Sequence, residues 1–361
     1  MNKKVLGIEK LESKILLSVV PNDPLLNTQW GLDSVNAYNA WQYGTGSKDV
    51  VVAVLDSGID VNNPDLKNNI WTNPISNDGF DGDIHGWNFI DNNSNIQDVY
   101  GHGTHVAGII GAEGNNGIGT VGVNWHVSIM PLKIIDDRGY GSMIAAIHAM
   151  DYVLMMKNTY HINIVAINNS WNQTSGFSVT LNDEISKLND AGIMNICAAG
   201  NQGINTDNSP TYPGGYHFDN TITVGCLSND NVSLAGLSNY GMNSVDLAAP
   251  GTMINSTFPN NTYGILTGTS MAAPFVAGTV ALLDSIKPNS SVAEIKNAIF
   301  GGVDKIPALF DKVRTGGKLN IEAAIDNLLG IPHNNIQVQL PYGEITYQSL
   351  SRINGWVRDG E

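Results

Sequence analysis

Residues 50–58 read Val-Val-Val-Ala-Val-Leu-Asp-Ser-Gly. A strand with one wet face alternates apolar and polar side chains, so six consecutive apolar residues mark a strand covered on both faces. The run stops at an ionisable side chain, Asp56, and a turn former, Gly58. The same grammar recurs at Ser128–Ile134, Ile164–Ile167, Met194–Ala198 and Thr221–Val224, each followed by a loop that carries something polar. Stretches rich in small residues separate these runs and read as helices. The alternation predicts an α/β fold: a doubly wound, mostly parallel sheet with helices on both faces, three layers in all. In open sheets of this kind the ligand crevice lies outside the carboxyl ends of the strands. The loops after the strands are therefore where chemistry is expected.

The chain has 361 residues and a formal net charge of −15, long enough for one large domain and too acidic for a nucleic-acid partner. We assign residues 23–330 to that domain, 1–22 to a leader or N-terminal extension and 331–361 to a C-terminal tail or small β appendage. Both cysteines, Cys197 and Cys226, sit inside apolar runs and read as buried free thiols. No apolar run reaches the roughly 20 residues that a membrane span needs. Residues 8–18, IEKLESKILLS, resemble the leader at the start of some large bacterial surface and exported proteins, although the charged residues among them break a standard signal-peptide core. Asn and Gly crowd residues 62–100, which read as a long surface excursion. Near the other end, Val292–Phe300 and Ile321–Leu329 read as peripheral amphipathic helices.

Four segments carry candidate chemistry. Asp56 follows the opening strand; by itself it is equally a helix cap or a turn former. Gly101–Gly108, GHGTHVAG, starts a helix of small residues with two histidines three apart. No HExxH pattern accompanies them, so His102 is read as a general base and His105, one turn deeper, as structural. Gly268–Gly278, GTSMAAPFVAG, places Ser270 at the head of another small-residue helix, where the dipole favours developing negative charge. The alternative is an N-cap serine. Pro274 is expected in that helix's first turn, where its missing N–H costs nothing. Ala198–Gly203, AAGNQG, follows a strand and offers the Asn201 amide as an oxyanion donor or, more plainly, as a turn residue.

Each plain alternative holds singly, yet all four segments fall at strand ends or helix starts, in the order Asp, His, Asn, Ser. DSGID, GHGTHVAG, AAGN and GTSMAAP closely resemble the motifs of the subtilisin-like serine proteases, a likeness that spans roughly residues 23–330. The resemblance implies a serine endopeptidase with the triad Asp56, His102 and Ser270, and with Asn201 and the Ser270 N–H binding the oxyanion. It implies a peptide substrate held as an added strand by Gly139, Tyr140 and Gly141 on one side and Ser170, Trp171 and Asn172 on the other. It further implies a structural Ca²⁺ site formed by Asp23, Asp65, Asn116, Ile118 and Thr120, the last two through carbonyls. Asp78, Asp81 and Asp83 are a candidate second site or simply a solvated acidic loop. The family's habits add an extracellular or cell-surface location and a monomer.

Departures from the family pattern are visible as well. Asn172 and Gln173 stand where glycines commonly follow the serine, and Phe275 replaces a frequent histidine. Trp171 beside the expected primary pocket suggests a preference for medium or large apolar residues before the scissile bond. Relatives carry an inhibitory pro-segment of several tens of residues, whereas about twenty precede Asp23, so folding is expected to be unaided or helped from elsewhere. A narrow processing protease and a catalytically silent binding module are the alternatives to a broad degrader.

Overall fold

The computed structural model describes residues 19–173 and 176–332, together with the backbone of 338–340 and 343–345. Two short helices, α1 (Trp30–Ser34) and α2 (Ala37–Ala40), lead into the long strand β1 (Gly46–Asp56). Then come β2 (Trp87–Asn88), α3 (His102–Gly111), β3 (His126–Lys133), α4 (Met143–Asn158), β4 (Ile164–Asn169), α5 (Val179–Asp190), β5 (Met194–Ala198), β6 (Thr221–Leu227) and β7 (Leu247–Pro250). A hairpin of β8 (Ile254–Phe258) and β9 (Thr262–Leu266) precedes the central helix α6 (Thr269–Ile286). Helix α7 (Val292–Gly301), strands β10 (Asp304–Lys305) and β11 (Gly317–Lys318), and helix α8 (Ile321–Leu329) complete the domain.

The main sheet has nine strands in the order β10-β11-β7-β6-β5-β4-β1-β3-β2. Its pairings are parallel throughout except β10 with β11. The chain leaves β1 toward β3 on one side and returns over α4 to β4 on the other, so the winding reverses at β1. That reversal opens the crevice in which such sheets bind ligands.

The run at residues 50–55 is buried on both faces as its composition requires. Val50, Val52 and Val54 join the core with α3 and α6, while Val51, Ala53 and Leu55 join the core with α4 and α5. Burying each of the larger side chains contributes about 1.5–3 kcal/mol, so this strand anchors both layers at once. Helix α6 crosses β1, β4, β5 and β6 and packs on α3. Its small residues allow that closeness: a Cβ on Gly278 would lie 2.8 Å from Val123 Cβ.

Three expectations need amendment. Helix α6 is, among the described residues, one helix long and apolar enough by composition to cross a membrane, but 83% of it is buried inside the fold, the mark of a core helix. Pro274 lies in the second turn of α6, not its first. The carbonyl that its missing N–H would have met, Ser270 O, accepts the Ser170 hydroxyl instead at 2.8 Å, so it is not left unsatisfied. Ser270 is not the N-cap either, because Gly268 holds that position. Both cysteines are free and buried. In the tail, β12 (Val338–Leu340) pairs antiparallel with β13 (Gly343–Ile345), while residues 1–18 and the rest of 333–361 lie outside the described residues.

Candidate active site

Asp56 ends β1, fully buried, with the Ser57 N–H on its Oδ1 at 2.7 Å. His102 opens α3 and sets Nδ1 against both Asp56 oxygens, 2.8 Å from Oδ1 and 3.0 Å from Oδ2. This pairing fixes the proton on Nδ1 and leaves Nε2 as the basic nitrogen. The imidazole is 19% exposed, so one edge reaches solvent. Burial pulls its pKa down, the charge and hydrogen bond of Asp56 push it up more strongly, and Asp98 adds to that, leaving the net value above 6.5.

The register of α3 against β1 depends on a contact without slack. A Cβ on Gly103 would fall 2.1 Å from the Gly58 carbonyl oxygen, so glycine alone lets the first turn of α3 lie against the Asp-Ser-Gly turn. Ser57 Oγ accepts from the Gly103 N–H at 2.9 Å and donates to Asp98 Oδ1 at 2.9 Å. The buried Asp98 also accepts from the N–H groups of Gly101 and Thr104 at 2.8 and 2.9 Å, so it caps the start of α3. Sequence reading missed this carboxylate. It lies in an acidic, Asn-rich loop where any Asp reads as a turn residue, and its place four residues before His102 at a helix start was the available signal.

Ser270, second residue of α6, donates its hydroxyl to the Ser170 carbonyl at 2.8 Å rather than to His102. Asn201 Oδ1 accepts from the Thr269 N–H at 2.9 Å and the Thr269 hydroxyl at 3.0 Å, which leaves Nδ2 available to donate. Thr269 Oγ1 in turn accepts from the Gly200 N–H at 3.0 Å. Thus Thr269, read from sequence only as part of a motif, sets the orientation of the Asn201 amide.

A cleft of about 500 Å³ is lined by Tyr100, Gly139, Gly141, Ser170, Trp171, Asn172, Gly200, Asn201 and Ser270, among others. The structure thus brings Gly139 and Gly141 of one predicted wall and Ser170, Trp171 and Asn172 of the other to one opening, with Tyr140 outside its lining. The Gly139–Gly141 wall is shorter as a strand edge than expected. The Tyr140 N–H donates to Asp136 Oδ1 at 2.9 Å, its carbonyl accepts from the Asp136 N–H at 3.0 Å, and the Gly139 N–H donates to the Asp136 carbonyl at 3.0 Å. Gly141 keeps its main-chain groups for a partner. His105 is fully buried, with Nε2 near the carbonyls of Ile254 and Gly264 at 3.0 and 3.1 Å. Burial holds its pKa down near about 4, so it is neutral and structural at ordinary pH.

Asp23 and Asp65 converge on the loop 113–120. Asp65 accepts from the Asn116 amide at 3.0 Å and the Thr120 N–H at 2.8 Å, and Asp23 accepts from the Asn115 N–H at 2.7 Å. Burial pushes Asp65 up to about 6 against these donors, and the neighbouring Asp23 adds repulsion. Two buried carboxylates meeting only neutral donors suit a hard cation. Asn116 turns its nitrogen to Asp65 and its oxygen to the Ile118 N–H at 2.7 Å, so it requires an amide flip to ligate through oxygen. In the acidic loop, Asn73 bridges Asp78 and Asp83 at 2.7 and 2.9 Å, while Asp81 points to solvent. Among the described residues no group of three or more His, Cys, Asp or Glu side chains is poised around one point.

Comparison with known proteins agrees with the geometry. A sequence model of the subtilase family matches residues 47–313. Subtilisin-like protease 2 of Plasmodium falciparum is 38% identical over 291 residues, covering 79% of this chain and 20% of that protein. Subtilisin-like protease 1 of the same organism is 34% identical over 335 residues, 84% of this chain and 48% of that protein. Thermitase of Thermoactinomyces vulgaris is 35% identical over 288 residues, 79% of this chain and 92% of that protein. The chain therefore spans from a fifth to about half of the two Plasmodium relatives and nearly all of thermitase. With the match running from β1 to beyond α7 and taking in every segment that lines the crevice, the chain belongs to the subtilase family.

Proposed function

We propose that this chain is a serine endopeptidase that cleaves peptide bonds through an acyl-enzyme, with Ser270 as nucleophile, His102 as base and Asp56 holding the imidazole. The observation that carries the reading is the His102–Asp56 pair at 2.8 and 3.0 Å, next to Tyr100, whose ring centre is 6.5 Å from that of the imidazole and which lines the cleft together with Ser270 and Asn201. Rotation about the Ser270 side chain exchanges its resting partner, the Ser170 carbonyl, for His102 Nε2. Oγ then attacks the scissile carbonyl carbon as its proton passes to Nε2. The oxyanion meets Asn201 Nδ2 and the Ser270 N–H at the positive end of α6. Collapse expels the amine, which takes the proton from His102, and water repeats the sequence to release the acid.

Substrate binds as a strand between Gly139–Gly141 and Ser170–Asn172. Asp23, Asp65, Asn116, Ile118 and Thr120 hold a calcium ion that neutralises the buried carboxylates and ties the N-terminal arm to loop 113–120. The enzyme works as a monomer outside the cell or on its surface. The test is hydrolysis of casein by the full chain with calcium. Cleavage by the wild type that falls to background in Ser270→Ala and His102→Ala supports the peptidase. Intact casein and intact short peptides throughout would make the chain a silent binding module.

A further inference from the structure

The wall of the cleft beside Ser270 contains a donor with nothing to receive its hydrogens. Asn172 lies on the segment that pairs through Gln173 with Tyr212, the two main-chain bonds being 2.8 and 3.0 Å. Its side chain reaches toward the opposite wall. A Cβ on Gly200 would fall 2.0 Å from Asn172 Nδ2, so the amide nitrogen rests against the Gly200 backbone, itself in the left-handed region at φ +103°. Asn172 Nδ2 is shielded from solvent and has no hydrogen-bond partner among the described residues. The acceptors around Gly200 are engaged elsewhere: Asn239 Nδ2 donates to the Ala199 carbonyl at 2.9 Å and to Gln202 Oε1 at 2.8 Å. Trp171 Nε1, on the same segment, is likewise shielded and unpartnered.

Native interiors rarely leave such donors unmatched, and a ligand acceptor would complete them. Position says which ligand atom arrives. The Ser170 carbonyl is 2.8 Å from Ser270 Oγ, and Gly200 adjoins Asn201. An acceptor that meets Asn172 Nδ2 takes the place of its contact with Gly200 and therefore belongs to the residue whose carbonyl Ser270 attacks.

We propose that Asn172 determines specificity: its carboxamide shortens the primary pocket and selects a neutral side chain with an acceptor oxygen, Asn or Gln, before the scissile bond. The proposal rests on the peptidase reading and replaces the apolar preference expected from Trp171, which lines the cleft but is partly buried against the core shared with α4 and α5. An apolar side chain of the same size leaves the donor buried and unpaired. A carboxylate gives up its hydration where, among the described residues, no Lys or Arg lines the cleft. A cationic side chain meets the donor end of the amide.

The experiment uses the calcium-loaded full chain and matched fluorogenic peptides that differ only in the residue before the leaving group, in the size-paired sets Asn against Leu and Gln against Met. The wild type is expected to favour Asn over Leu and Gln over Met about tenfold in kcat/KM, the scale of one neutral hydrogen bond gained or left unmade. Asn172→Leu keeps the bulk without the donor, so the preference disappears while Phe stays poor. Asn172→Gly opens the pocket, and Phe gains at least about tenfold. A wild type that prefers Leu, Met or Phe, or ratios unchanged in both variants, overturns the proposal. So does a wild type that reacts with a fluorophosphonate yet cleaves neither amide-bearing peptide; one that does not react at all removes the peptidase reading, and the proposal with it.

Discussion

Replacing Thr269 by valine keeps shape and removes one oxygen. In the structure that oxygen donates to Asn201 Oδ1 at 3.0 Å and accepts from the Gly200 N–H at 3.0 Å, in a fully buried position. The valine orphans the Gly200 N–H, which costs about 1–3 kcal/mol of stability. At roughly 2 °C per kcal/mol for a domain of this size, the melting temperature falls by about 4 °C. Asn201 keeps only the Thr269 N–H to orient its amide. Deleting the whole donor costs about 10²- to 10³-fold in kcat, a figure from subtilisin, a member of the same family, so loosening one of two tethers should cost about tenfold. The donor acts on an oxyanion that exists only in the transition state, so kcat falls and KM holds. Peptide hydrolysis by Thr269→Val, Asn201→Ala and the double variant provides the check. The double variant should be no slower in kcat than Asn201→Ala alone. Additive losses, or a loss carried wholly in KM, would show that Thr269 does not act through Asn201.

The rest concern pH, metal and packing. Because the Asp56 carboxylate outweighs burial in raising His102, the acid limb of kcat/KM has its midpoint above pH 6.5 and moves down in Asp56→Asn; a pH–rate profile with its midpoint below 6.5 contradicts the pairing. His105, held near about 4 against a usual 6.5, contributes about 3 kcal/mol that is present above pH 6.5 and lost as pH falls through 4, so His105→Gln should flatten acid unfolding in that window. Asp65 has the opposite sign. Raised from 3.8 to about 6, it favours the metal-free fold below 3.8 and costs about 3 kcal/mol once pH has risen through 6, a cost that the proposed calcium ion would cancel. Excess chelator at pH 7 should therefore lower the melting temperature of the wild type but not of Asp65→Asn, and an unchanged wild-type melt rules out the site. Gly103→Ala drives a methyl into the Gly58 carbonyl and should cost more than about 3 kcal/mol by thermal melt, with His102 displaced from Asp56.

Much of this was legible because burial writes itself into composition. Met194–Ala198 coincides with β5, and Val50–Leu55 is the buried part of β1, since only strands covered on both faces need unbroken apolar runs. The hairpin β8–β9 was not legible: Asn255, Ser256 and Thr257 are buried yet polar, paired to Thr28, His105 and Thr104 by bonds visible only once the chain is folded. The same holds at the site. Asp56, His102, Asn201 and Ser270 stand out as reactive types in motifs. Asp98 and Thr269 act through partners 41 and 68 residues away, a relation that no local pattern records.

The role of Ser270 as nucleophile can be read from one mass spectrum. The calcium-loaded full chain, treated with a fluorophosphonate and digested, should carry a single adduct on Ser270, absent from Ser270→Ala and strongly slowed in His102→Ala. An unmodified Ser270 in the wild type, or equal labelling of Ser270→Ala, would mean that the crevice at the end of β1 does not house an activated serine.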